Sequence, residues 1–321
     1  MNLNLDWLLR ADIFDSKEVM TTVVIIFSIL SFASISLFIA GKIKPSTNFK
    51  ELQDRTKSWW IMASLFIATT IFSTKISYIA IAFLSFAAFR EFYSILGFRQ
   101  SDRRAIFWAL VSIPIQYYLA YLGWYGAFII FIPVVMFLLL PMRLVLKGDT
   151  SGIVKSIATL QWILMLSVFG ISHMAYLLSL PDLEGFNAGG RGLLLFLVFL
   201  TEINDVMQFV WGKLFGKHKI TPKVSPNKTW EGFLGGVIST VIIGYFLGFL
   251  TPLTGWALIL VSFIISISGF IGDLVMSSVK RDIGIKDTGS AIPGHGGILD
   301  RIDSLAYTAP AFFHLVYYIC Y

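Results

Sequence analysis

Residues 256–303 read WALILVSFIISISGFIGDLVMSSVKRDIGIKDTGSAIPGHGGILDRID. No charge interrupts the apolar run before Asp273, and the run continues to about residue 279, long enough to cross a bilayer as a helix. The polar stretch from Ser277 to Asp303 then carries Asp282, Asp287, Asp300 and Asp303, the bases Lys280, Arg281, Lys286 and Arg301, His295 and a Gly-rich turn. Carboxylates interleaved with Lys and Arg suit a site where a divalent cation meets phosphates. Carboxylate oxygens take the hard cation, and cations and free N–H groups take phosphate oxygens.

The whole chain has the same character. Its 321 residues are 56% hydrophobic and only 14% charged, against about 25% charged in a soluble domain. Mean hydropathy is +0.77. This composition predicts an all-α polytopic membrane protein. The single Cys320 excludes an internal disulfide and a Cys-based metal cluster. The net charge of +6 suits basic cytoplasmic loops better than nucleic acid, which is not expected as a partner.

Working outward, residues 1–20 form an amphipathic lead expected to lie as an interfacial helix. Ten spans are predicted, at about 21–40, 59–74, 76–96, 105–122, 126–141, 157–180, 193–210, 233–251, 256–279 and 304–321. Residues 21–192 read as helical scaffold and 193–321 as the catalytic region. With ten spans, loops holding 20 of the 25 Lys and Arg fall on one face. The bias toward basic cytoplasmic loops puts that face, and the polar site, in the cytoplasm and both termini outside.

Asp273, Ser277, Lys280 and Arg281 share one helix face. An aspartate late in an apolar span is functional or paired with a neighbouring base. Asp300 and Asp303 lie at i, i+3 where the last span begins, with plain capping by Asp303 or Ser304 as the alternative. Pro293–Gly297 is a turn whose glycines permit close backbone approach to a ligand. His295 within it reads equally as a phosphate donor or a structural hydrogen bonder. The loop 212–231 offers Ser225, Lys228 and Thr229 as anion donors, though Thr229 or Ser225 with Glu231 is also ordinary helix-start chemistry. Glu202 and Asp205 are placed at the cytoplasmic end of their span. Asp205 there faces the polar site, whereas Glu202 reads as readily as a water-exposed helix end. The P-loop spacing is absent.

These residues resemble the phosphatidate cytidylyltransferase (CDP-diacylglycerol synthase) family. Ser277, Val279, Lys280, Arg281, Lys286, Asp287, Gly289, Ile292, Pro293, His295, Gly296, Gly297, Ile298, Asp300, Arg301, Ile302 and Asp303 fit its signature. Residues 225–233, SPNKTWEGF, are similar to its S-P-K-K-T-W-E-G-F, and Asn204-Asp205 and Phe215-Gly216-Lys217 to further elements. The resemblance covers about residues 195–305. Gln208-Phe209 stands where the family often has Ala before an aromatic, and Asn227 where Lys is common.

The resemblance implies that CTP and phosphatidic acid, or a related lipid phosphate, give a CDP-lipid and pyrophosphate at the bilayer. A CTP-dependent lipid kinase is a near alternative and an anion transporter a more distant one. Two anions must be neutralised and aligned, with no covalent nucleophile. Asp273, Asp300 and Asp303, with Asp287, are the expected Mg²⁺ ligands, a second cation completing a two-metal site. Asp273, Asp287, Asp300 and Lys280 are the expected catalytic set. Ser225, Lys228, Ser277, Arg281, Lys286, His295, Arg301 and Asp205 are expected to bind substrate, Asp205 either supporting the metal or ordering a lysine. Dimers are common in the family, so a homodimer is compatible with the resemblance, which leaves the oligomeric state open.

Overall fold

A computed structural model describes residues 16–43, 50–71, 73–289 and 296–321. Among the described residues the chain forms ten long helical rods and one short helix. They are α1 (Lys17–Ile43), α2 (Lys50–Ile71), α3 (Thr74–Ile95), α4 (Arg103–Tyr121), α5 (Tyr125–Val145), α6 (Ile153–Ser179), α7 (Gly189–Phe215), α8 (Trp230–Phe246), α9 (Gly255–Asp282), the short α10 (Leu299–Ile302) and α11 (Leu305–Cys320). Six of them (α1, α3, α5, α6, α7 and α9) are long and apolar enough to cross a membrane. The protein is a multi-pass membrane protein of helical build.

Several boundaries differ from the expected ones. The first rod starts at Lys17, so residues 17–20 belong to it, while the rest of the expected interfacial lead lies outside the described residues. The second starts at Lys50, well inside the expected basic loop. The physical reason is that apolarity marks what a bilayer can hold, whereas a helix continues through charged residues once nucleated. The fold also has a small sheet that an all-helical reading omits. Strands β1 (Lys219–Thr221) and β2 (Ser225–Thr229) pair antiparallel between α7 and α8. Pro222 sets the turn, closed by the Val224 N–H donating to Thr221 O at 3.1 Å.

Two rods contain a π-helical turn, Phe131–Met136 in α5 and Met165–Gly170 in α6. In the first, Pro133 has no N–H and cannot continue the ladder. Polar side chains reach the loosened carbonyls: Gln116 Nε2 donates to Phe128 O and Gln161 Nε2 to Ile132 O, each at 3.2 Å. In the second, Gly170 lies against α11, where a Cβ would stand 2.6 Å from Ala306 O.

The core lies around α6, α7 and α11, with Phe196, Phe312 and Phe313 fully buried beside residues 193–197. The apolar faces of α1, including Phe32, Ile35 and Phe38, point outward as a lipid-facing helix requires. A polar seam ties the C-terminal helices together. Asn204 Oδ1 on α7 accepts from Thr240 of α8 at 3.1 Å and Ser266 of α9 at 2.5 Å, and Thr201 donates to Thr308 of α11 at 3.0 Å. All five are buried. Interhelical hydrogen bonds of this kind contribute about 1 kcal/mol each in membrane proteins. Asn204→Ala is therefore expected to lower stability by about 1–2 kcal/mol, read as a lower thermal midpoint in detergent. An unchanged midpoint would show that the seam is energetically silent.

Candidate active site

One end of the bundle gathers the C-terminal ends of α3, α7 and α9, the hairpin, the N-terminal end of α8, and the α10–α11 corner. Two groups of charged residues meet there.

The first group sits below the hairpin. Thr229 caps α8, its side chain accepting from the Gly232 N–H at 3.1 Å. The cap fixes where β2 ends and places Lys228 over the bundle. Lys228 Nζ lies 2.7 Å from Asp273 Oδ2 and 4.5 Å from the Phe270 ring centroid, with only 15% of its side chain exposed. Asp273 Oδ1 accepts from Ser277 Oγ, one turn on, at 3.2 Å. Asp205 Oδ2 accepts from Ser304 Oγ at 3.0 Å, and Asp303 Oδ1 accepts from the Ser304 N–H at 2.8 Å. The charges of Asp205, Asp273 and Asp303 act on one another, and Lys228 and Lys280 act against them.

The second group is a clamp around Thr288. Lys280 Nζ lies 2.7 Å from Asp300 Oδ1, with side-chain exposures of 13% and 6%. Asp300 Oδ2 accepts from the N–H groups of Thr288 and Gly297, each at 2.9 Å, and lies 3.0 Å from Thr288 Oγ1. Burial alone would raise the Asp300 carboxyl. Lys280 and these donors outweigh it and hold the group below the usual carboxylate range. Glu91, from α3, completes the clamp. It accepts from Thr288 Oγ1 at 2.6 Å and from the N–H groups of Ile298 and Leu299 at 2.7 and 3.2 Å.

Lys228, Asp273, Ser277, Asp205 and Asp303 come together, joined through Lys280 to Asp300. Asp205 sits mid-helix, not at a helix end, about 15 Å of rise before the end of α7. Glu202 is likewise a half-buried mid-helix residue and not a water-exposed end. Arg301 is half-buried, and its charge acts on Glu202. Arg281 turns to main-chain carbonyls, donating to Val224 O and Ile285 O at 3.3 Å each, and so pins the hairpin to the end of α9. Lys286 and Asp287 are exposed at the rim. Ser225 is half-buried at the start of β2. His295 and Pro293 lie outside the described residues.

Glu231 does not close a capping box. Its carboxylate accepts from the N–H groups of Lys217 and His218, at 3.0 and 3.2 Å, and holds the turn before β1. Gln208 fills the α7–α8 seam, its side chain occupying the space that Gly236 leaves open. The residue the motif reading missed is Glu91. Its signal was an acid beside Arg90 in the last turns of an apolar helix, where the helix dipole disfavours negative charge.

Glycine is required at Gly297 for a different reason than expected. A Cβ there would fall inside the Glu91 carboxylate. Gly296 supplies the turn with φ +82°. These two glycines admit the Glu91 and Asp300 carboxylates.

The donor set can be tested against a divalent cation. Asp205, Asp273 and Asp303 are hard oxygen donors, as Mg²⁺ requires. Lys228 is the close partner of one of them, and Lys280 is committed to Asp300. Negative charge therefore exceeds the local positive charge, and a cation would offset it. Among the described residues no three such side chains already converge on one point. Asp300, expected as a ligand, is the more heavily committed carboxylate: Lys280 takes Oδ1 and the Thr288 and Gly297 N–H groups both take Oδ2, whereas Asp273 accepts only from Lys228 and Ser277.

The cytidylyltransferase family model matches residues 53–319. The chain is 40% identical over 298 residues to the uncharacterized protein YnbB of Escherichia coli (strain K12), covering 92% of this chain and 97% of that one. It is 45% identical over 123 residues to the phosphatidate cytidylyltransferase of Staphylococcus haemolyticus, covering 38% of this chain and 47% of that enzyme. The phosphatidate cytidylyltransferase of Staphylococcus aureus (strain COL) matches at 42% over 125 residues with the same coverages. The match thus spans about half the length of these named enzymes. With the paired acids and bases in place at one end of the helical bundle, and a family model matching most of the chain, the chain belongs to the cytidylyltransferase family.

Proposed function

We propose that the protein joins CTP to phosphatidic acid, or a closely related lipid phosphate, releasing pyrophosphate. The observation that carries this reading is the meeting of the Lys228–Asp273 pair, Asp205 and Asp303 with the Lys280–Asp300 clamp at one end of apolar helices. A lipid phosphate can reach that end sideways through the bilayer, and a nucleotide can reach it from water. All ten rods are proposed to span the bilayer, with this end in the cytoplasm.

In the reaction a lipid phosphate oxygen forms a bond to the α-phosphorus of CTP. The bond from that phosphorus to the bridging oxygen of the β-phosphate breaks, and the electron pair leaves with pyrophosphate. Asp205, Asp273 and Asp303 would hold Mg²⁺, which when bound supplies charge neutralisation at the phosphates. Lys228 offers a second positive charge beside them. Its close pairing with Asp273 keeps the ammonium in place and oriented before substrate arrives. Asp300 orders Lys280 and the backbone of the turn, and Lys286 and Asp287 stand at the rim where a nucleotide enters.

The test uses purified protein in detergent with phosphatidic acid, Mg²⁺ and CTP labelled at the α-phosphate. Label is expected in a chloroform-soluble lipid, with pyrophosphate released. Label left in water-soluble CDP would replace this reading with lipid phosphorylation, and untouched CTP would remove it. Asp273→Asn is expected to lower transfer about 100-fold, because charge stabilisation lost at the reacting phosphates is of that size. Chelation of the divalent cation is expected to abolish it. Full activity after chelation would exclude the metal role.

A further inference from the structure

We infer that Glu91, on a helix of the N-terminal scaffold, is a positioning residue for cytidylyl transfer, acting through Thr288 and the α10 turn on Asp300 and Lys280. The inference rests on the reading above and adds a residue outside the family's motif region. Glu91 and Thr288 are 197 positions apart, yet their side chains lie 2.6 Å apart. One carboxylate oxygen meets Thr288 Oγ1, and the other takes the N–H groups of Ile298 and Leu299. Glu91 thereby joins Thr288 to the backbone just after Gly297.

The chemistry of Thr288 shows how the link works. Its hydroxyl has one proton and two carboxylates within reach, Glu91 Oε1 at 2.6 Å and Asp300 Oδ2 at 3.0 Å. It donates to one at a time. Glu91 holds the hydroxyl in place, while the Thr288 and Gly297 N–H groups hold Asp300. Asp300 in turn holds Lys280 at 2.7 Å. Two glycines make room for Glu91. A Cβ on Gly289 would stand 2.8 Å from Glu91 Oε1, and one on Gly297 would overlap the carboxylate. An acid so close to the C-terminal end of α3 is electrostatically disfavoured by its own helix. Three donors from the turn compensate for it.

The variants Glu91→Ala, Glu91→Gln, Thr288→Val and Glu91→Ala/Thr288→Val separate positioning from folding. Gln keeps one acceptor for the Ile298 and Leu299 N–H groups, and its amide can donate to Thr288 Oγ1, whose proton then goes to Asp300. Glu91→Ala is expected to lower kcat about 100-fold, the cost of misplacing a reacting group by about 1 Å. The KM for CTP should stay within about threefold, since the ground-state contacts are elsewhere. Glu91→Gln should recover to within about tenfold of the wild type, the loss of one charge-assisted bond. The double variant should be no worse than Glu91→Ala alone. Hydrogen exchange at the Ile298 and Leu299 amides should be faster in Glu91→Ala than in the wild type.

A Glu91→Ala enzyme with wild-type kcat would overturn the inference. So would independent, multiplying losses from Glu91 and Thr288. Failure of both Glu91 variants to purify as folded protein would make Glu91 structural only and overturn it as well. If the wild type itself makes no CDP-lipid, the functional reading falls first, and exchange at the two amides decides the clamp: unchanged exchange in Glu91→Ala overturns it.

Discussion

Asp300→Asn is expected to lower cytidylyl transfer by at least about 100-fold, with kcat carrying the loss. An amide keeps one acceptor and adds a donor. Turned one way, its NH₂ faces Lys280 Nζ. Turned the other, it faces the Thr288 and Gly297 N–H groups that now donate to Oδ2. Either arrangement sets donor against donor in a site where Asp300 is 8% exposed. Removing one partner of a buried ion pair costs about 3–5 kcal/mol, mostly because the other charge is left uncompensated. The variant should therefore also unfold earlier, in a detergent melt followed by circular dichroism. Full transfer activity at saturating Mg²⁺ would show that neither the clamp nor a metal depends on this carboxylate.

The pH dependence of that clamp has a definite sign. The folded Asp300 carboxyl lies below its ordinary value of 3.8. Its stabilising contribution is thus complete above the unfolded value and is lost as pH falls through the lower folded one. Below about pH 4 the thermal stability of the wild type should therefore fall more steeply than that of Asp300→Asn.

Gly272→Ala is the second large effect, and it comes from packing. Gly272 lies on α9 next to Asp273, against the start of α11. A Cβ there would stand 2.5 Å from Asp303 O, 3.0 Å from Tyr307 Cδ2 and 3.2 Å from Ser304 Cα. Two of these are backbone atoms and cannot rotate away. The helices must separate by a fraction of an ångström to about 1 Å, which moves Asp273 and Asp303 apart. Overpacking of this kind costs about 1–3 kcal/mol, while misalignment of the site costs about 100-fold in rate. The protein should stay folded and lose transfer. Gly97→Ala is the control, since a Cβ at Gly97 meets nothing within 4 Å. Equal activity in the two variants would show that the spacing of Asp273 and Asp303 does not matter to the reaction.

Much of this protein is set by its sequence alone. The apolar runs mark where helices can enter a bilayer, because the cost of burying a polar residue in lipid is a local property of each stretch. The acids and bases of 273–303, and Lys228 beside the Thr229 cap, are legible for a related reason. Charges are so scarce in this chain that those present have to be paired or used. Even Glu91 shows as an anomaly, an acid near the wrong end of an apolar helix.

Tertiary structure alone decides which charges meet. Asp300 and Lys280 read as metal ligand and phosphate binder, and their pairing depends on α10 lying beside the end of α9. Arg281 reads as a phosphate binder too, yet the hairpin brings Val224 O within its reach. Asp205 lies deep because α7 runs five residues past its apolar stretch, to Phe215. Glu91 meets Thr288 because α3 ends beside α10. Hydrophobic patterning specifies how each helix is embedded but not which helices become neighbours. That choice comes from side-chain packing summed over the whole bundle, such as Gly170 and Gly272 admitting α11.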